Sequence, residues 1–272
     1  MGLSAATLLG PNTVVAMDAL VGLLRARGTD IEVVDAAAAS GCGTAAAEVV
    51  ANLDLVWACG LLTAELVADG CPIEVVAAPV FAGETAAVYR SVIVARATSS
   101  GVGGSASGSA SVPGAEQGAR SVGGPLGLAD LARLRVAVNE TGSWSGYRAL
   151  LREFGVVRGE SPAAVAAAIE TDMILTGAHL ESVRAVADHR ADIAAVDSSI
   201  WDWLVAVDPE AVEGVVAVDQ TTDWPAPPFS VGGSSSAREA LTADLLSLSV
   251  QSLPGLARIV PSSIERYRFM TR

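Results

Sequence analysis

The chain has 272 residues, enough for one large domain or two smaller ones with a real core. Its formal charge is −13 and all 17 basic residues are arginine. The acidic balance argues against a nucleic-acid partner, which needs a basic surface. The absence of lysine excludes Schiff-base chemistry and a P-loop lysine. With 51% hydrophobic residues the chain is apolar overall, yet no run reaches the ~18 uninterrupted apolar residues of a membrane helix. Three cysteines (Cys42, Cys59, Cys71) and two histidines give neither a disulfide framework nor a zinc spacing, so no metal and no cofactor are expected.

In chain order, the opening stretch MGLSAATLLGPNTVVAMDALVGLLRARG lacks a basic n-region and carries Asp18 inside its apolar pattern. It does not read as a secretory signal. The expectation is either a cytoplasmic chain or one whose export segment has been removed. Short apolar runs then alternate with helical patterns, which predicts a mixed α/β protein. Strands are predicted at ATLLG, IEVVDA, LDLVWACG, IEVVAAPV, YRSVIVARA, RVAVNE, IAAVDSS and EGVVAVDQT. Helices are predicted over Val15–Arg27, Ala45–Ala51, Thr63–Ala68, Trp144–Glu153, Ser161–Glu170, His179–Asp188 and Ser235–Val250. Several follow Ser, Thr, Asp or Gly, as good caps require. Residues 98–124 are almost entirely Gly, Ser, Ala and Val, too little apolar surface to offset ordering entropy, so a mobile surface loop is expected there.

Three stretches are candidates for binding. NETGSWSGY places Ser143, Trp144 and Ser145 at a strand-to-helix junction. The first N–H groups of a helix lack internal partners and its dipole makes that end positive, so hydroxyls and a glycine there form an oxyanion cradle without a cation. An ordinary N-cap fits the same residues equally well. LTGAHLESV repeats the form, with His179 opening a helix that favours its neutral, hydrogen-bonding state. Asp197 ends the apolar run IAAV, at the carboxyl end of a strand where open α/β sheets bind ligands, or else caps the helix SSIWDWL. GCGTAAAE around Cys42 matches a phosphate loop only loosely, Cys59 reads as a small buried hydrophobe, and no G-x-S-x-G elbow is present.

Together these stretches resemble the solute-binding proteins of phosphate, phosphite and phosphonate ABC transporters. LDLVWACG and VYRSVIVARA resemble the family's cleft-side strand end and its tyrosine-bearing crossing strand. RVAVNETGSWSGY resembles its N-(D/E)-x-x-S-x-S-G-Y turn, and TGAHLESVRAVADHRADIAAVDSSIWDWL its S/T-G-x-H block. The likeness is best over roughly residues 50–205, with TTDWPAPPFSV similar to the family's return segment. It implies a two-lobed, type II periplasmic-binding-protein-like fold whose lobes are joined by two crossing strands. Lobe one would be residues 1–90 and 200–272, and lobe two residues 91–199 with the loop 98–124. The resemblance further implies a small oxyanion such as phosphate, phosphite or a phosphonate, bound in the cleft between lobes by Tyr89, Ser143, Trp144, Ser145, His179 and Asp197. Trp144 stands where phosphonate binders have a small hydroxyl residue, and Pro11 and Asn12 where the first lobe has a ligand-contacting aromatic. An ABC permease is the implied partner and catalysis is not implied. The alternatives are an enzyme on the same scaffold, using His179 and Asp197 for proton transfer, or a ligand sensor.

Overall fold

The computed structural model describes residues 2–9, 11–35, 44–97, 110–112, 120–122, 126–250, 253 and 255–271. In chain order it begins with β1 (Leu3–Thr7), α1 (Pro11–Ala26), β2 (Ile31–Val33), α2 (Thr44–Val50), β3 (Leu55–Trp57), α3 (Gly60–Ala68), β4 (Glu74–Phe81) and β5 (Val88–Tyr89). It continues through β6 (Ser91–Arg96), β7 (Ala110–Val112), β8 (Arg120–Val122), α4 (Leu128–Leu131), β9 (Val136–Val138), α5 (Ala149–Arg152), α6 (Pro162–Glu170), β10 (Met173–Leu175), α7 (His179–Ala187), β11 (Ile193–Asp197), α8 (Ser198–Val207) and β12 (Val215–Gln220). It closes with β13 (Trp224–Pro225), β14 (Phe229–Val231), α9 (Ser235–Leu246) and β15 (Leu256–Pro261). These elements form two compact units, Met1–Tyr89 with Trp224–Arg272, and Arg90–Asp223. The expected α/β class is what folds.

In the first unit the sheet runs β15-β4-β14-β3-β1-β2. β1 lies parallel to β2 and β3, while β14 and β15 return antiparallel. One face packs Met17, Leu20 and Leu24 of α1 on Leu55, Trp57 and Phe229. The other packs Leu62 and Leu66 of α3 on Val56. The alternation along β3 follows from the two-residue period of a strand. Burying a Trp requires a partner for its indole N–H, and Trp57 Nε1 donates to the Pro227 carbonyl at 3.0 Å. β1 begins three residues earlier than ATLLG implied. Asp54 fixes its start, accepting from Ser4 N at 2.9 Å and from Ser4 Oγ at 3.1 Å. Leu8 and Leu9 are therefore left beyond the strand's end.

The second unit holds a sheet ordered β10-β9-β11-β6-β12. Val136 and Val138 face Leu150, Phe154 and Ile169, whereas Ala137 faces Val183 and Val186 of α7. Residues 200–223 fold here rather than with the first lobe, because β12 pairs antiparallel with β6 and Leu204 packs beside Val94. The chain enters this unit at Arg90 and leaves it at Asp223. Just outside, β5 and β13 pair, with Tyr89 opposite Trp224. Of the Gly/Ser-rich stretch, β7 and β8 pair antiparallel. The remainder of the expected loop 98–124, like Cys42, lies outside the described residues.

Candidate functional site

β9, β10 and β11 are parallel, so their carboxyl ends share one edge of the second unit's sheet. β10 ends level with β9, Leu175 opposite Val138. The chain turns out of each strand into a helical start, and the two turns are stitched together. Thr176 N donates to the Val138 carbonyl at 3.0 Å and Gly177 N to the Asn139 carbonyl at 2.9 Å. Gly177 has φ +82°, which suits glycine. β6 runs the other way, so its first residue, Ser91, meets the same edge opposite Asp197. Thr221, just past β12, joins them through its backbone N–H to the Ser91 carbonyl at 2.9 Å. Strand direction alone thus gathers Ser91, the Ser143–Ser145 turn, His179, Asp197 and Thr221 at the edge where open α/β sheets hold ligands.

The first turn carries most of the polar groups. Ser143 caps the helical segment that follows, accepting from Gly146 N at 3.3 Å. That segment opens as a π-helical turn, Trp144–Arg148, where a regular α-helix was expected. The width shows in the backbone bond from Arg148 N to the Ser143 carbonyl, 3.1 Å and five residues back. Two neighbours occupy the space beside it. Asn139 Oδ1 lies where a Cβ on residue 146 would sit, 2.0 Å from that position, so only glycine fits. Ser91 Oγ donates to the Ser145 carbonyl at 2.6 Å. Tyr147 O–H donates to Glu170, tying the turn to the end of α6, and burial with that carboxylate beside it pushes the phenol up to about 12.

The second turn meets the first through side chains. Ser145 Oγ and His179 Nε2 are 2.9 Å apart, and both residues are buried. Loss of water holds the His179 pKa down to about 4, opposed in part by the Ala195 carbonyl. The ring is therefore neutral at neutral pH. Asp197 is the N-cap of α8: Oδ1 accepts from Ser199 N at 2.8 Å and from Ser199 Oγ at 2.7 Å. Burial raises this carboxyl to about 6, with the Ser199 hydrogen bonds pulling the other way.

The sequence candidates therefore separate. Ser143, Ser145, His179 and Asp197 share one sheet edge, and the Ser145–His179 pair is in contact. Trp144 is on the same turn, but its side chain is only 2% exposed, with the Arg152 guanidinium 5.9 Å from the ring centroid. Tyr89 belongs to the first unit, is 2% exposed, and stands in the β5–β13 ladder. Ser91, Thr221 and Asn139 were not picked out. Ser91 has one signal, a lone Ser opening the β-branched run SVIVAR, whereas Asn139 and Thr221 lie in the polar stretches NETGS and DQTTD and do not stand out from their neighbours. Among the described residues no cluster of His, Cys, Asp and Glu could hold a metal ion. No helix among them is long and apolar enough to cross a membrane.

The model of the ABC-transporter phosphonate periplasmic substrate-binding protein family matches residues 18–267. The chain belongs to that family. Family members are substrate-binding proteins, so the solute-binding reading holds and the enzyme reading falls. Solved structures agree on the fold. One is a binding-protein component of an ABC phosphonate transporter from Pseudomonas aeruginosa, with a TM-score of 0.69 at 15% identity over 97% of this chain and 82% of that one. Another is PhnD1 from Prochlorococcus marinus in complex with methylphosphonate, with a TM-score of 0.70 at 14% identity over 98% of this chain and 95% of that one. A ferric binding protein from Campylobacter jejuni scores 0.60 at 10% identity over 94% of this chain and 86% of that one. The expected two-lobed fold is thus what the chain adopts. A fold that also serves ferric ion does not choose the ligand. No curated protein sequence matches this one.

Proposed function

We propose that the chain captures a small phosphonate, or a closely related oxyanion such as phosphite or phosphate, and delivers it to an ABC-type permease. The observation that carries this reading is the 2.9 Å contact between Ser145 Oγ and His179 Nε2, at two adjoining helical starts. The anion's oxygens replace water at hydroxyls, backbone N–H groups and a neutral imidazole N–H, none of which needs a counter-ion at its side. Such donors are worth more in a dry site than in water. Family membership and the methylphosphonate held by the Prochlorococcus protein support the ligand class. The roles follow the geometry. Ser143 and Ser145 offer hydroxyls, Trp144 offers its backbone N–H, and His179 offers Nε2. Asp197 supports the edge as a cap, and Tyr89 serves the β5–β13 ladder of the first unit.

The test is calorimetric titration of methylphosphonate, phosphite, phosphate and sulfate into the wild type and Ser145→Ala. The wild type should bind one of the phosphorus oxyanions in preference to sulfate. Ser145→Ala should lose about 1–3 kcal/mol of affinity, because the buried imidazole and one ligand oxygen each lose a partner. Equal affinity in the two proteins would remove Ser145 from the site. No binding of any phosphorus oxyanion would remove the ligand class.

A further inference from the structure

Ser91 is completely buried, so it reaches no ligand, and yet it is not a passive core residue. Its hydroxyl donates at 2.6 Å to the carbonyl of Ser145, the residue whose own hydroxyl meets His179. A carbonyl oxygen has two lone pairs, so this bond adds to whatever the helix supplies. A side chain inserted against a helical carbonyl tilts that peptide outward and widens the turn. The turn carrying Ser145 is wide: Ala149 N reaches back five residues to the Trp144 carbonyl, as Arg148 N does to Ser143. The tilt of the Ser145 peptide sets the direction of its Cα–Cβ bond, and with it the place of Oγ.

We propose that Ser91 is a positioning residue for ligand capture, acting through the Ser145 carbonyl to hold the Ser145 hydroxyl and the His179 imidazole in their paired geometry. The proposal rests on Ser145 and His179 being ligand donors, as argued above. Ser91 is suited to the task because its own backbone is fixed independently of its side chain. Ser91 N donates to Thr221 Oγ1 at 3.0 Å, and the Ser91 carbonyl accepts from Thr221 N at 2.9 Å. On its other side Ser198 N donates to the Arg90 carbonyl at 3.0 Å. Truncation to alanine therefore removes one hydroxyl and leaves the strand where it was.

The chain's two histidines make the test local. In 15N-labelled, ligand-free protein, the side-chain resonances of His179 and His189 are recorded for the wild type and Ser91→Ala. His189 lies outside the cradle, in a left-handed turn with φ 61°, and serves as the internal reference. The expected result is a moved His179 Nε2 resonance, an unmoved His189, and methylphosphonate affinity about tenfold weaker, the size of one hydrogen bond. A His179 resonance at its wild-type position overturns the proposal whatever the affinity does, and so does a moved resonance with unchanged affinity. If the wild type itself binds no methylphosphonate, phosphite or phosphate, the functional reading fails, and the His179 resonance alone decides whether Ser91 positions the pair. Should Ser91→Ala not fold, Ser91→Cys, whose larger sulfur is a weaker donor, is read the same way.

Discussion

In the first unit β1 ends at Thr7 and the chain runs through Leu8 and Leu9 towards α1; in the second, β9 ends at Val138 and the chain runs through Asn139 to Ser145. Both are strand-to-helix turns at the carboxyl ends of parallel strands. What they bury differs. At the second unit's edge Ser91, Asn139, Ser145, His179, Asp197 and Thr221 are all buried. The first unit's buried polar residues, among those described, are Thr13, Thr63 and Ser230. A buried polar group costs free energy unless it is paired, so a dense set of them is retained only where it orients something. Among the described residues the second unit's edge therefore buries the denser polar set, while the first unit's turn shows a single hydroxyl pair, Thr7 Oγ1 and Thr13 Oγ1 at 3.0 Å.

The largest effect is expected at Gly146, in the second unit's turn. A methyl there would stand 2.0 Å from Asn139 Oδ1 and 3.2 Å from its Cγ. Asn139 is buried and its own carbonyl is held by Gly177 N, so it has little room to yield. Gly146→Ala should cost ~3 kcal/mol or more of unfolding free energy, at the upper end of overpacking effects. It should also abolish methylphosphonate binding, because the turn cannot close around Ser145. Denaturant melts and calorimetry check both. A variant that binds as the wild type does would show that the wide turn is dispensable.

The same contrast governs what could be read from sequence. The turns after β9 and β10 are legible because their signals are local: an apolar run, then Gly with Ser or Thr, then a helical pattern. The register of β1 was not, because Asp54, fifty positions away, fixes its start through Ser4. β14 and β15 were missed for a similar reason, since each exists by antiparallel pairing with a distant strand rather than by its own pattern. β12 is legible as a strand, but its place in the second unit is not, because its partner β6 lies more than a hundred residues earlier. In the site, Ser143 and Ser145 were found as cap residues. Ser91 was not, because a hydroxyl inside a β-branched strand looks like noise until its acceptor is seen. Asp197 had two open readings, and its bonds to Ser199 make it a cap.

Two buried titratable groups of the second unit's edge respond to pH in opposite senses. His179 has its pKa lowered from 6.5 to about 4, so its contribution to stability is present above 6.5 and is lost as pH falls towards 4. Asp197 has its pKa raised from 3.8 to about 6, so its contribution is present below 3.8 and is lost as pH rises through 6. At about 1.4 kcal/mol per unit, each amounts to about 3 kcal/mol. The two slopes oppose each other over nearly the same window and largely cancel. Asp197→Asn removes one of them. The difference in unfolding free energy, variant minus wild type, should therefore rise by about 3 kcal/mol between pH 4 and 6. Parallel curves would mean that Asp197 titrates alike in the folded and unfolded chain, and that this carboxyl is far wetter than its surroundings imply.

The smallest effect lies in the first unit, and it has the opposite sign. Gly22 sits in the interior of α1 with an exposed backbone, and nothing lies within 4 Å of where its Cβ would be. No steric constraint accounts for a glycine there. Glycine inside a helix is about 0.5–1 kcal/mol worse than alanine, because the unfolded chain loses more freedom on folding. Gly22→Ala should therefore stabilise the protein by roughly that amount and leave methylphosphonate affinity unchanged. Paired with Gly146→Ala, it isolates what a glycine does in each unit: the same added methyl wrecks a turn that must admit Asn139 and stiffens a helix that admits nothing. A loss of affinity in Gly22→Ala would place part of the recognition surface on α1, and the Thr7–Thr13 hydroxyl pair beside its start would then be the next group to change.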